Sequence, residues 1–251
     1  MKQALLAAAI ISLLLTDAPS QTADLTPAKT VAQFYRLLKE KKYVEGFRLS
    51  VYRVAVESLK PEELKDLEPD FARTFSGIPD KLEAAGEQIT GDTATVFIKF
   101  KGSNDAQQIG LVKVDGQWLV GDKESLDLVR AQGATYFFNA RVAENENEIY
   151  RLLLKLVGAE MLYQRRFGNY ATIEELIKLS GVPKDIQDSA ALGYRITFSL
   201  NTDKSVYYAQ AVPVAYGKTG KLSFYADGGG IRAEDLKGGV ASPTSPPYPP
   251  R

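Results

Sequence analysis

Twice along this chain the spacing of apolar residues changes from a helical period to the alternation of a strand, which points to two successive helix-then-sheet units. In the first passage Val31, Phe34, Tyr35 and Leu38 fall at i, i+3, i+4 and i+7, one stripe of a helix. Thr26-Pro27 ahead of them combines a capping residue with a proline suited to the first helical position. The charged run Lys39 to Lys42 closes that helix. Tyr43 to Val51 predicts a second, short helix, and Pro61-Glu62-Glu63 opens a third that carries Leu64, Leu67, Phe71 and Phe75. The period then changes. In "ATVFIKF" Val96, Ile98 and Phe100 alternate with Thr95, Phe97 and Lys99. Gly91-Asp92 turns the chain ahead of it, and "IGLVKV" and "QWLV" flank Asp115-Gly116, a two-residue link tolerant of the positive φ that a type I′ hairpin requires.

The second passage begins with a stretch from about Asn139 to Phe167 whose one helix breaker is Gly158. Ile149, Leu152, Leu153, Leu156, Ala159 and Tyr163 share one side of it, so a helix of up to about 28 residues, roughly 42 Å long, is expected. Its first turns, "NARVAENENE", read as too polar to be buried. Arg165 and Arg166 suit the negative end of the helix dipole, and Gly168 suits a left-handed cap. Thr172 and Glu175 have the spacing of a capping box, which predicts a short second helix. Strands follow in "GYRITFSL", "SVYYAQAVPV" and "GKLSFYA", with Pro213 placed at a bulge, a strand end or an edge.

The triplet Gly228-Gly229-Gly230 after that last strand invites comparison with phosphate-binding loops. "DGGGIR" matches neither G-x-G-x-x-G nor G-x-x-x-x-G-K-S/T, and "IRAEDLKGG" beyond it is too short and glycine-broken to supply a helix whose N-terminus would hold phosphate. It reads as a hairpin turn. The chain's end, "SPTSPPYPPR", is expected to be an extended, mobile tail, because proline cannot donate to a ladder or continue a helix.

Composition narrows the chemistry. The 251 residues contain neither cysteine nor histidine, which removes disulfides, thiol nucleophiles, imidazole metal ligands and histidine-based relays. An enzyme built here would work with carboxylates, tyrosine, lysine or Ser-Lys pairs. Lys plus Arg and Asp plus Glu number 31 each, so there is no net field to attract nucleic acid or an anionic bilayer. The first twenty residues pair Lys2 with an apolar run from Ala4 to Leu15 and then Ala18-Pro19-Ser20. That run is about eight residues short of a bilayer span, so residues 1–20 read as a secretory signal, with no stable membrane insertion after cleavage and a periplasmic or secreted, bacterial location.

The helices-then-strands order, with "LVKVDGQWLV" at 111–120, resembles the extracytoplasmic bacterial relatives of nuclear transport factor 2, including lumazine-binding-like proteins. The resemblance covers about 100 residues and implies a curved antiparallel sheet wrapped round a helix, leaving a cone whose mouth binds a small molecule, serves catalysis or holds a protein. The later run, "YQRRFGNYATIEEL", "GYRITFSL" and "AQAVPVAYGKTGKLSFYADGGGIR", resembles the globular part of type IV pilin-like proteins, again over about 100 residues. It departs from that family in lacking the apolar helical start and the G-F-T-x-x-E leader pattern, whose packing holds pilin fibres together.

The fold class expected is therefore α+β with two domains: a cone over residues 25–130, a long helix packed on an antiparallel sheet over residues 134–238, and a Pro-rich, disordered tail from 239 to 251. The function expected is an exported, non-catalytic binding or structural protein of the cell envelope that meets a protein partner or surface assembly, without cofactor or metal. Carriage of a small hydrophobic molecule in the cone is the alternative, with Phe34, Tyr35, Leu38, Phe97 and Trp118 as the ligand-binding residues. A third reading is an isomerase or dehydratase that pairs a phenol from Tyr35, Tyr43 or Tyr52 with the Asp70 carboxylate.

Overall fold

The structure, a computed structural model, describes residues 25–79, 82–100, 106–187 and 192–249. The expected export signal lies outside them. Thr26 caps the first helix, α1 (Pro27–Lys39), by accepting from the Lys29 amide, and Pro27 occupies its first position. Two five-residue helices follow, α2 (Tyr43–Phe47) and α3 (Arg53–Glu57), then α4 (Pro61–Thr74). Four antiparallel strands come next in sequential order: β1 (Leu82–Thr90), β2 (Thr93–Phe100), β3 (Ala106–Val114) and β4 (Gln117–Val120). Asp115 and Gly116 join β3 to β4 with φ of 50° and 80°, the positive pair that the hairpin demands.

Val31, Phe34 and Leu38 of α1 meet Ala94, Val96 and Ile98 of β2, together with Leu111 and Val120, in one buried cluster. The opposite face of the sheet is covered by α5 (Lys123–Gln132), where Leu126 packs with Val51, Val112 and Leu119. Asp122 starts α5 by accepting from the Ser125 amide at 2.7 Å.

The long helix, α6 (Tyr136–Phe167), has 32 residues and begins three residues before the predicted start. Those extra residues matter, because Phe137 and Phe138 are buried in the first core while Ile149, Leu152, Leu153, Leu156 and Ala159 form the spine of a second. One helix about 48 Å long thus runs from one apolar cluster to the other. The polar first turns are also less exposed than their composition suggests: Val142 is buried and the Arg141 side chain is only 11% exposed.

At the other end Gly168 adopts φ 80° and donates to the Gln164 carbonyl, closing α6 as expected. The capping box forms, with Thr172 N–H to Glu175 at 2.7 Å and Glu175 N–H to Thr172 at 3.2 Å, and starts α7 (Ile173–Lys178). A second antiparallel sheet follows, β5 (Tyr194–Leu200), β6 (Tyr207–Pro213), β7 (Ser223–Asp227) and β8 (Gly230–Glu234), again in sequential order. Pro213 is the last residue of β6. Asp227 pairs with Gly230 across Gly228-Gly229, and its carboxylate accepts from the Gly229 amide at 2.8 Å, so the glycine triplet is a hairpin turn.

The C-terminal segment differs from expectation. Instead of extending as a mobile tail, residues 239–249 pack on the second sheet. The Gly239 carbonyl accepts from Ser223 and the Ala241 carbonyl from Gln210. The Ala233 amide donates to Pro246 and the Tyr248 amide to Ile231, covering the outer edge of β8, while the Tyr248 ring meets Phe224 and Tyr150 edge-on. The premise that proline cannot donate is correct, but its carbonyl still accepts and Tyr248 supplies both an N–H and an apolar ring. An edge strand that would otherwise be open is thereby closed.

Among the described residues the second core buries one carboxyl group. Glu160 of α6 has no exposed surface; one oxygen accepts from the Ala171 amide at 2.9 Å and the other has no partner. Burial pushes its pKa up to about 7, against the opposing Ala171 hydrogen bond, with Glu175 adding to the rise and Lys204 reducing it.

Two measurements follow from this architecture. Tyr248→Ala is expected to cost about 1 to 3 kcal/mol in urea unfolding, a folded rather than mobile tail being the cause. Because the unfolded chain releases the Glu160 proton near pH 4.5 and the folded one near 7, this group lowers stability progressively as pH rises between those values, by up to about 3 kcal/mol above them. In Glu160→Gln that part of the pH dependence is expected to vanish from unfolding curves recorded between pH 4.5 and 8.

Candidate functional site

The main cavity on the first half of the molecule is a cleft of about 560 Å³ built by helices and the turns at their ends. Phe34 of α1, Phe47 of α2, Tyr52 ahead of α3, Phe71 of α4 and Tyr136 and Phe137 of α6 present their rings to it. They converge because each lies on the inward stripe of its own helix or turn. Phe47, Phe71 and Phe137 then meet with centroids 5.0 to 5.1 Å apart, in edge-on or tilted pairs that suit the aromatic quadrupole. Burial, together with the neighbouring Tyr52 hydroxyl, pushes the Tyr136 phenol up to about 12, so it stays protonated at any physiological pH.

A charged wall completes the cleft. Arg141 of α6 reaches across to α4, donating through Nε to Asp70 and through Nη1 to the Asp66 carboxylate at 3.1 Å. Its remaining terminal nitrogen donates to the Asp66 backbone carbonyl at 2.6 Å. That carbonyl sits in the turn interrupted by Pro69, which lacks the N–H that would bond to Lys65 and loosens the helix ladder locally. The second Asp70 oxygen accepts from Arg73 at 2.8 Å. Beyond them Lys218, in the β6–β7 connection, lies 3.7 Å from Asp66 and 5.3 Å over the Phe138 ring.

The same stretch of α6 fastens the second sheet. Asn145 donates to the Thr219 carbonyl at 2.9 Å, and Glu146 accepts from the amides of Lys221 and Leu222 at 2.8 and 3.0 Å. Residues 139–146 are therefore the polar seam between the two sheets. The charges of Arg141 and Glu146 are spent on partners, one in each half.

The five ligand-binding residues expected from the sequence do not form one site. Phe34 lines the cleft, but Leu38 is wholly within the core. Tyr35 faces a separate groove beside Ala32, Ile78 and Pro79. Phe97 and Trp118 lie on opposite faces of the first sheet: Phe97 stands opposite Gln108 and Trp118 opposite Lys113, positions of opposite parity on β3. Trp118 is on the face packed against the core, with the Lys113 ammonium 5.5 Å from its ring. The physical reason is the filling of the sheet's inner face by Val31, Phe34 and Leu38, which leaves no sheet residue lining the cleft.

The candidate acid/base groups separate too. Tyr43 is buried between Phe71 and Phe75. Tyr52 and Asp70 do share the cleft, yet each Asp70 oxygen already accepts from an arginine, which leaves the carboxylate serving as an anchor for α6. Among the described residues no three acidic side chains converge as a metal site. Sequence reasoning missed Arg141, Tyr136 and Phe137. The signal available was Asp66, Pro69 and Asp70 in one helix, a proline interruption flanked by two acids that needs a cation.

No family model matches the chain, and neither a curated protein nor a solved structure matches it. No helix among the described residues is long and apolar enough to cross a membrane.

Replacing Arg141, itself only 11% exposed, by alanine leaves half-buried Asp70 and exposed Asp66 short of their shared partner, and is expected to cost about 1 to 3 kcal/mol in chemical unfolding. Arg73→Ala, which removes an exposed partner, is expected to cost under about 1 kcal/mol in the same assay.

Proposed function

We propose that this chain is an exported, non-catalytic binding protein of a bacterial envelope, periplasmic or secreted, and that it holds a small apolar molecule in the helical cleft. The observation that carries this reading is the ring-lined cleft of about 560 Å³, a size and lining suited to burying a small apolar compound. The signal-like start of the sequence supports export. A domain pair fits the two separate cores, and the resemblance of the first sequence run to nuclear-transport-factor-2-like proteins and of the second to the globular part of pilin-like proteins supports that division. In this reading the ligand site belongs to the first domain's helices rather than to the mouth of its sheet.

A protein partner is the second reading, favoured by one feature of α6. Leu154, Met161 and Leu162 are 47%, 44% and 67% exposed and fall on one face of the helix, turned away from the second sheet. Crosslinking in intact cells separates the two: recovery of the monomer alone at native expression removes the partner.

Protein isolated under gentle conditions from its own host is expected to carry a noncovalent mass adduct in native mass spectrometry. The adduct is expected to be lost in Ala140→Trp, which places an indole in the cleft. A mass equal to the bare polypeptide in both proteins would count against ligand carriage.

A further inference from the structure

The cleft's own charges bear on what kind of molecule it takes, if it is the ligand site proposed above. Four ionisable side chains of formal charge line it, Asp70, Arg73, Arg141 and Glu144, two of each sign. The inner three are already paired. Arg141 spends Nε and both terminal nitrogens on Asp70, the Asp66 carboxylate and the Asp66 carbonyl, and Asp70 accepts from Arg141 and Arg73 with one oxygen each. Asp66 in turn has Lys218 beside it. A ligand anion would have to share an arginine with Asp70 and would face Asp70 and Glu144. A ligand cation would meet Arg73 and Arg141. Either sign loses its hydration on entering and gains no unspent countercharge at the inner wall.

The rest of the lining rewards shape. Phe47, Phe71 and Phe137 meet at about 5 Å in edge-on or tilted pairs, and Phe75 continues the array 5.7 Å from Phe47. A planar ring entering such an array can add further edge-to-face contacts, which a flexible chain cannot reproduce without losing rotamer freedom. We infer that the ligand of the helical cleft is an uncharged, ring-bearing molecule, selected by the self-neutralised Asp66-Arg141-Asp70-Arg73 wall and the aromatic array beside it.

Equilibrium dialysis of the purified protein at pH 7 against three probes of one shape tests this: 2-acetonaphthone, which is neutral, 2-naphthoate, an anion, and 2-naphthylmethylammonium, a cation. The neutral probe is expected to bind at least about tenfold more tightly than either ion, the desolvation of an unpaired charge being the difference. Arg73→Gln, which takes one countercharge from Asp70, is expected to narrow the gap between the cation and the ketone by at least about threefold. An ion that binds as tightly as the ketone, or a cation-to-ketone affinity ratio that stays the same in Arg73→Gln, overturns the uncharged class while leaving the cleft a ligand site. Failure of all three probes to bind, or ketone binding that survives Ala140→Trp unchanged, overturns the ligand reading itself and this inference with it.

Discussion

The structure depends on one continuous helix being shared by two apolar cores. The first turn of α6 buries Phe137 and Phe138 with the helices of the first half, and its fourth to seventh turns bury Ile149 to Ala159 under the second sheet. Between these ends the helix cannot be apolar without exposing a greasy stripe at the junction, and it cannot be freely polar without leaving the halves unattached. The stretch from 139 to 146 resolves this by spending its polar groups on partners. Arg141 ties α4, Asn145 and Glu146 tie the β6–β7 connection, and Lys218 returns from that connection to Asp66. A helix carries its side chains on a fixed lattice, so placing one of these contacts constrains the others.

The aromatic cleft is a consequence of the same arrangement. Because α6 starts three residues earlier than its polar composition suggests, Tyr136 and Phe137 reach the rings of Phe47, Tyr52 and Phe71. Because α1 fills the inner face of the first sheet, the space left over lies among helices. The Arg141 wall bounds that space with charge that is already compensated, and the site offers rings rather than a field.

Local signals proved legible wherever the physics was local. The Thr26 cap, the positive-φ pair Asp115-Gly116, the left-handed Gly168 and the Thr172/Glu175 box each act within a few residues, and each forms as its spacing implies. Side-chain alternation in β2 likewise separated the strand's two faces, Val96 and Ile98 on one and Thr95 and Phe97 on the other. What alternation could not tell was whether the inward face encloses space or is filled, which is where Leu38 and Trp118 failed as ligand residues; Phe97 failed because it lies on the outer face of β2, and Tyr35 because it faces another groove. The tail shows the converse. Its prolines correctly exclude helix and ladder donation, but whether a proline-rich segment docks depends on an open β8 edge and on room beside Phe224 and Tyr150, neither of which is encoded near residue 248.

By itself, then, the amino-acid order determined most of the helices and strands, though not α3 or α5, and with them the turn at the glycine triplet, the lack of thiol and imidazole chemistry and the export-like start. These follow from backbone stereochemistry, short-range hydrogen bonding and residue type. Only the tertiary structure decided that α6 joins two cores, that Arg141 answers the acids flanking Pro69 from more than seventy residues away, and that the cavity is helical. Such outcomes turn on which faces meet and how much volume their side chains occupy, quantities that long-range packing sets and local sequence does not contain.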